Sequence, residues 1–288
     1  MSSLLTCGVV DLGTPRVGGP TGASAAASEP SHAPAHPVPG HPDRADLGMV
    51  HSWDVVTGAD GPGTRFVTFL AGCPLRCAYC HNPDTWKRRN GTPTTVAELV
   101  SRMHSFKRFI AASGGGVTVS GGEPLLQPRF VEAYLRACKD DGMHTALDTS
   151  GYLGDRATDS LLDATDLVLL DVKSSDPDTY RDLTSVELAP TLAFGERLAA
   201  RGLPVRVRFV LVPGVTDDPA NVAGVAELAA AWGNVERVDV LGYHRLGVAK
   251  YADLGLPYRL EGVEPPTAEQ LAAAVEQFTR RGLVAVAS

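Results

Sequence analysis

Cysteine is scarce in this chain, with five residues among 288. So few thiols cannot staple a small secreted fold, and an odd number leaves one without a partner. Basic residues are also in deficit: 26 Lys and Arg stand against 33 Asp and Glu, a formal charge of -7. That balance argues against a nucleic-acid backbone as partner. No apolar run is long enough to span a bilayer, so no membrane partner is expected. Ser2 to Val10 lacks the basic start and the long apolar core of a signal peptide. A reducing, cytoplasmic compartment is therefore the expectation.

Residues 1–48 lack hydrophobic periodicity and are rich in Ala, Pro, Gly, Ser and His. Such a stretch cannot bury enough apolar surface to offset its ordering entropy, so a disordered extension is expected there. Its histidines, His32, His36 and His41, read as solvated, and Cys7 as uninvolved. Met49 is an alternative start. Residues 49–288 are then long enough for one large folded domain.

What is present is concentrated in Cys73-Pro-Leu-Arg-Cys77-Ala-Tyr-Cys80-His81, directly after the apolar run Phe66–Leu70. Two of three clustered thiols could form a disulfide, but the third would be left over. A tetrahedral zinc site needs a fourth ligand, which His81 could supply. Three thiolates also suit an iron–sulfur cube that keeps one iron open to a ligand. The remaining cysteine, Cys138, falls on a helical stripe with Phe130, Val131, Tyr134 and Leu135 and reads as a small core residue.

Six apolar runs read as parallel strands: Phe66–Leu70, Val117–Ser120, Thr145–Asp148, Leu167–Asp171, Val205–Val212 and Val235–Leu241. Helical signals lie between most of them. Thr95 to Glu98 is a capping box, followed by Val96, Leu99, Val100, Met103 and Ile110 at helical spacing. Asp218-Pro219 opens a helix that Gly233 stops, and Thr267 to Gln270 caps the last one. Six strand–helix units are too few for a closed eight-stranded barrel. The expected fold is α/β, a partial (β/α)6 open barrel.

Polar motifs fall at the carboxyl ends of these strands, the rim where βα loops converge. Strand two ends in Gly121-Gly122-Glu123, strand three in Asp148-Thr149, strand four in Asp171-Val172-Lys173 and strand six in Tyr243-His244. Strand five carries Arg206 and Arg208. The glycines permit close backbone approach to a ligand, or form a plain strand-to-helix turn. Asp148, Asp171 and Lys173 either tie strands together as a buried ion-pair network or recognise a charged cofactor. Lys87-Arg88-Arg89 reads as a solvated face or as a docking surface for an acidic partner.

The spacing C-x3-C-x-aromatic-C, with Tyr79 as the aromatic, resembles the radical S-adenosylmethionine (SAM) enzymes. Closer still, from about Met49 onward the chain resembles the pyruvate formate-lyase-activating family. The matching segments include Asp60-Gly-Pro-Gly-Thr-Arg-Phe66, Cys80-His-Asn-Pro-Asp-Thr-Trp86, Leu170-Asp-Val-Lys173, Val212-Pro-Gly214 and Tyr243-His244. Only Cys138 lies beyond Cys80, so the cysteine-rich insertion of many other glycyl-radical activases is missing. Pro124 and Leu125 follow the Gly-Gly-Glu motif more as in the wider superfamily.

The resemblance implies a 4Fe–4S cluster held by Cys73, Cys77 and Cys80, with SAM chelated at its open iron. Tyr79, His81, Gly121, Gly122, Glu123, Asp148, Asp171, Val172, Lys173 and His244 match positions lining the SAM site. Asp148 and Asp171 are expected to hold a monovalent cation. Asp60 and His81 are expected to meet the glycine loop of pyruvate formate-lyase, on which a glycyl radical is made. Reduced flavodoxin or ferredoxin is the expected electron donor, and the enzyme is expected to be a monomer. Activation of another glycyl radical enzyme, or action on a small molecule, are the alternatives.

Overall fold

The computed structural model of the chain describes residues 44–287. The expected extension up to residue 43 lies outside the described residues, and strand β1 begins at Leu47, ahead of the expected boundary. In chain order the first elements are β1 (Leu47–Thr57), β2 (Thr64–Leu70), β3 (Thr92–Thr95), α1 (Val96–His104) and α2 (Lys107–Ala112). Next come β4 (Gly116–Gly121), α3 (Pro128–Asp140), β5 (His144–Thr149), α4 (Asp159–Asp163), β6 (Leu167–Asp171), α5 (Pro177–Thr184) and α6 (Ala189–Ala200). The chain continues through β7 (Val205–Leu211), α7 (Pro219–Trp232), β8 (Val235–Gly242), α8 (Val248–Asp253), α9 (Ala268–Thr279) and β9 (Ala285–Ala287).

The strands form one sheet in the order β3-β1-β2-β4-β5-β6-β7-β8-β9. From β2 to β9 every neighbouring pair is parallel, while β1 runs antiparallel to both β2 and β3. The sheet starts and ends on different strands and so stays an open barrel. Its six central strands, β2 and β4 to β8, contain or overlap the six expected runs. The edge strands β1, β3 and β9 are additions to that expectation.

Helices cover one face of the sheet. Capping explains several of their starts. Thr95 and Thr267 each complete a capping box, and the Asp218 carboxylate accepts from the Ala220 and Asn221 N–H groups. The stripe expected to run to Ile110 as one helix breaks at Ser105–Phe106 into α1 and α2. Leu99, Met103, Val131, Leu135, Leu198, Val225 and Phe278 pack from the helices onto Val117, Val119, Leu147, Val168, Val207 and Phe209.

Strand alternation then decides which residues face the concave side. In β7, Val205, Val207, Phe209 and Leu211 are buried in the core and alternate with Arg206, Arg208 and Val210. In β5 and β6, Leu147, Val168 and Leu170 belong to the helix-facing core, which turns Ala146, Asp148, Leu169 and Asp171 the other way. The register pairs Asp171 with Arg208 directly. The fold therefore delivers three charged side chains to one end of the concave face.

Candidate active site

A cavity of about 460 Å3 opens at the carboxyl ends of these strands. Its volume lies within the usual range of small-molecule sites. Cys73, Cys77, Tyr79, Cys80, His81, Gly121, Gly122, Glu123, Asp148, Asp171, Lys173, His244 and Asp60 all line it. Val172 does not; its side chain is buried in the helix-facing core, as expected of the residue between Asp171 and Lys173.

The cysteine loop is held by its backbone. The N–H groups of Gly72 and Cys73 donate to Thr85 and Trp86, and those of Arg76 and Ala78 donate to Thr184 and Leu183. The Arg76 guanidinium donates to the Cys73 and Leu75 carbonyls and lies 4.8 Å from the Trp86 ring centre. From the far side, α8 clamps the loop: Tyr251 Oη donates to the Cys80 carbonyl at 3.1 Å and Lys250 Nζ to Asn82 Oδ1 at 2.9 Å. The three half-buried thiols are unbridged. Burial raises all three, Cys77 to about 11, with the nearby Lys173 charge opposing it.

The glycines next to this loop are fixed by packing. Gly121 has φ +120°, and a Cβ there would lie 2.1 Å from the Leu70 nitrogen. On Gly122 it would lie 2.3 Å from the Gly72 carbonyl oxygen. The N–H groups of Gly122 and Glu123 donate to Leu70 and Gly72. Glu123 itself points into protein. Its carboxylate accepts from Thr149 Oγ1 (2.6 Å), Leu125 N (3.1 Å), Ser150 N (3.0 Å) and Ser150 Oγ (2.5 Å). Burial still leaves its pKa above the usual carboxylate value, against those four bonds.

The opposite wall is charged. Arg208 Nη1 lies 3.2 Å from Asp148 and 3.4 Å from Asp60, and its Nε lies 3.7 Å from Asp171. Lys173 Nζ donates to Asp171 at 2.9 Å and sits 5.6 Å from the Tyr79 ring centre. Burial opposes both charges of the Asp171–Lys173 pair. Their mutual attraction, helped on the aspartate by Arg208, wins, lowering Asp171 and raising Lys173. Asp148 lacks a lysine partner, and burial raises it to about 6 despite Arg208. Charged, this wall carries three anions and two cations, an excess of one negative charge. His81 and His244 stack at 4.0 Å between ring centres on the same cavity.

Arg208 is the residue sequence reasoning left without a role. Its signal was there: arginines two apart within an apolar strand must share the face opposite the core. Ser120, which donates to Asp148 at 2.5 Å, and the Thr149–Ser150 cradle of Glu123 were also missed.

The arrangement suits a polar, partly cationic ligand beside a multi-thiol centre. Tyr79 Oη, Asp148 Oδ1 and Arg208 Nε are buried without a hydrogen bond around one cavity. Buried polar atoms are usually paired, so a ligand is the natural partner. Among the described residues no three His, Cys, Asp or Glu side chains gather as a single metal ion requires. The His81 ring is stacked on His244. Three unbridged thiols on one loop, lining one cavity, are a donor set that a cluster held by three cysteines would fit.

Comparison with known proteins agrees. The family model "Radical SAM superfamily" matches residues 67–224. The chain is 43% identical over 237 residues to the pyruvate formate-lyase 1-activating enzyme of Escherichia coli (strain K12), covering 81% of this chain and 96% of that one. It is 44% identical over 246 residues to the pyruvate formate-lyase-activating enzyme of Staphylococcus epidermidis, covering 83% and 98%. A solved domain of pyruvate-formate lyase-activating enzyme from Bacteroides vulgatus is 28% identical, with a TM-score of 0.52 over 60% of this chain and 99% of that one. Streptococcus suis SuiB bound to its precursor peptide SuiA shares the fold, with a TM-score of 0.61 at 16% identity, over 80% of this chain and 49% of SuiB.

Proposed function

The chain belongs to the radical SAM superfamily and, within it, to the pyruvate formate-lyase-activating enzymes, and from that premise we infer that it arms pyruvate formate-lyase with a glycyl radical by reductive cleavage of SAM. The observation that carries this is the meeting, in one cavity, of a three-thiol loop and a charged wall with unpaired buried atoms.

Cys73, Cys77 and Cys80 would hold the 4Fe–4S cluster. With both groups bound they would supply reductive cleavage of SAM: one electron from the external donor is consumed, methionine is released, and the 5'-deoxyadenosyl radical takes hydrogen from a glycine α-carbon and leaves as 5'-deoxyadenosine. The protein's part is position and exclusion of water. Its thiols must give up their protons for the cluster, which burial resists and the Lys173 charge helps at Cys77.

The charged wall recognises SAM. Its carboxylates suit the positive groups of a sulfonium amino acid, and its two cations suit that ligand's carboxylate. A monovalent cation between Asp148 and Asp171 would share them with Arg208, which already touches both. Asp148 Oδ1 and Tyr79 Oη offer unfilled hydrogen bonds. Glu123 acts through Thr149 and Ser150 as a positioning residue, and Gly121 and Gly122 let the β4 turn lie against the cysteine loop. Asp60, on the loop before β2, and His81, at the cavity mouth, receive the partner's glycine loop. A glycine α-carbon has no side chain to keep it away. Reduced flavodoxin or ferredoxin donates the electron in the cytoplasm, and the enzyme works as a monomer.

The test is anaerobic reconstitution with iron and sulfide, then reductant, SAM and pyruvate formate-lyase. A glycyl-radical EPR doublet and one methionine per radical are expected. An intact, SAM-cleaving cluster that leaves pyruvate formate-lyase without a doublet would sink this function.

A further inference from the structure

A second concavity, of about 590 Å3, lies against the back of the cysteine loop and is lined by Arg88, Leu126, Pro128, Arg129, Glu132 and Arg156 among others. It shares no lining residue with the active-site cavity. The groove comes close to the cysteine loop at Gly72. A Cβ on Gly72, the residue before Cys73, would lie 2.5 Å from the Leu126 side chain and 3.3 Å from Arg88 Cβ.

The groove is positive on a protein of formal charge -7. Elsewhere the arginines are mostly neutralised: Arg136, Arg181, Arg197, Arg201, Arg208, Arg280 and Arg281 all face carboxylates. Lys87, Arg88, Arg89 and Arg156 face none among the described residues. Arg156 lines the groove and is exposed; Lys87 and Arg89, exposed too, are the chain neighbours of the lining Arg88 and do not line the groove themselves. The N-terminal end of α3, at Pro128–Arg129, adds its dipole to the same field. Glu132 is the acid among the lining residues, and it is already engaged by Thr158 and Arg136.

We propose that this groove is where the electron-delivering protein docks, and that this carrier presents an acidic surface. The proposal rests on the assignment of a reducible cluster to Cys73, Cys77 and Cys80. An electron entering here reaches the Cys73 segment without crossing the cavity that SAM and the partner's glycine loop must fill. Carrier and protein substrate can then be bound at once. In the step itself one electron leaves the carrier, which is oxidised, and the cluster is reduced; no bond forms or breaks. Unpaired cations around such an entry raise the encounter rate with an acidic partner and make it sensitive to salt.

The test compares two reductants on the full, reconstituted chain: reduced flavodoxin and dithionite. The variant combines Lys87→Glu, Arg89→Glu and Arg156→Glu, all on exposed side chains. Flavodoxin-driven SAM cleavage should fall by about tenfold or more through a raised KM for flavodoxin. Dithionite-driven cleavage should be unchanged, which also reports that the variant folds. Arg89→Lys with Arg156→Lys should keep the flavodoxin rate, and added salt should slow wild type with flavodoxin only. Equal flavodoxin rates in wild type and the triple variant would overturn the proposal. So would a raised KM for pyruvate formate-lyase under dithionite, which would give the groove to the protein substrate. Wild type that cannot cleave SAM even with dithionite would overturn the cluster assignment itself, and the docking surface with it.

Discussion

Glu123 and Asp148 are carboxylates at the ends of neighbouring strands, on the same cavity, and both have raised pKa values through burial. Their surroundings differ in kind. Every lone pair that Glu123 directs at protein meets a donor from Leu125, Thr149 or Ser150. Asp148 has Ser120 and Arg208 on one oxygen and nothing on the other. A saturated carboxylate braces structure. One with an empty lone pair, on a cavity wall, is prepared for a ligand. The cavity thus has a braced side, where Glu123 and the glycines fix the cysteine loop, and an open side around Asp148, Asp171, Lys173 and Arg208.

Removing a thiol should have the largest effect. Cys77→Ala should lose the cluster and all SAM cleavage while circular dichroism stays native, because backbone bonds at Gly72, Cys73, Arg76 and Ala78 hold the loop without the sulfur. Iron analysis and a SAM-cleavage assay check this; retained cleavage would remove Cys77 from the ligand set.

The open side is tested by Asp171→Ala. It strips Lys173 of its carboxylate partner, while Arg208 keeps Asp60 and Asp148. SAM affinity should drop about 10- to 100-fold, the equivalent of roughly 1.5–3 kcal/mol for a hydrogen bond to a charged group. Iron content should not change. Equilibrium binding to the reconstituted protein is the measurement, and an unaltered Kd would show that Asp171 only ties strands together.

The contrast between the two sides also marks where sequence runs out. The six central strands were legible because strands buried on both faces read as continuous apolar runs. β1 was not, since its residues from His51 onward are partly or fully exposed and mix Ser, Trp and Asp with Val. β3, Thr-Pro-Thr-Thr, reads only as a helix approach, and β9 spans Ala285–Ala287 alone. The α1–α2 break sits inside an unbroken apolar stripe and has no local marker in composition. At the site, spacing announced the cysteines because all three lie on one loop. Whether Glu123 faces a ligand or the protein depends on Thr149 and Ser150, which join it only through the pairing of β4 with β5. Arg208 needed the same kind of information: its three carboxylates come from three other segments.

The smallest effect is the most discriminating, and it is read on the cluster-free protein. In Glu123→Gln the new amide must turn its NH2 toward either the Leu125 or the Ser150 backbone N–H, two donors with no acceptor between them. That conflict should cost about 1–3 kcal/mol, reduced by the easier burial of a neutral group. In Asp148→Asn the NH2 can take the side where Oδ1 has no partner, leaving the oxygen to Ser120 and Arg208. Neutralisation even helps there. The Asp148 pKa rises from 3.8 to about 6 on folding, so the folded state holds this proton more tightly than the unfolded chain. The stability this confers is complete below the unfolded value and is lost as pH rises through about 6. Relative to wild type, Asp148→Asn should therefore gain stability between about pH 4 and pH 7.5, whereas Glu123→Gln should be destabilised at pH 7.5. Urea unfolding midpoints at the two pH values, with unchanged m-values, decide it. Equal losses in both variants would mean that Asp148 is as much a brace as Glu123, and the division of the cavity into two sides would fail.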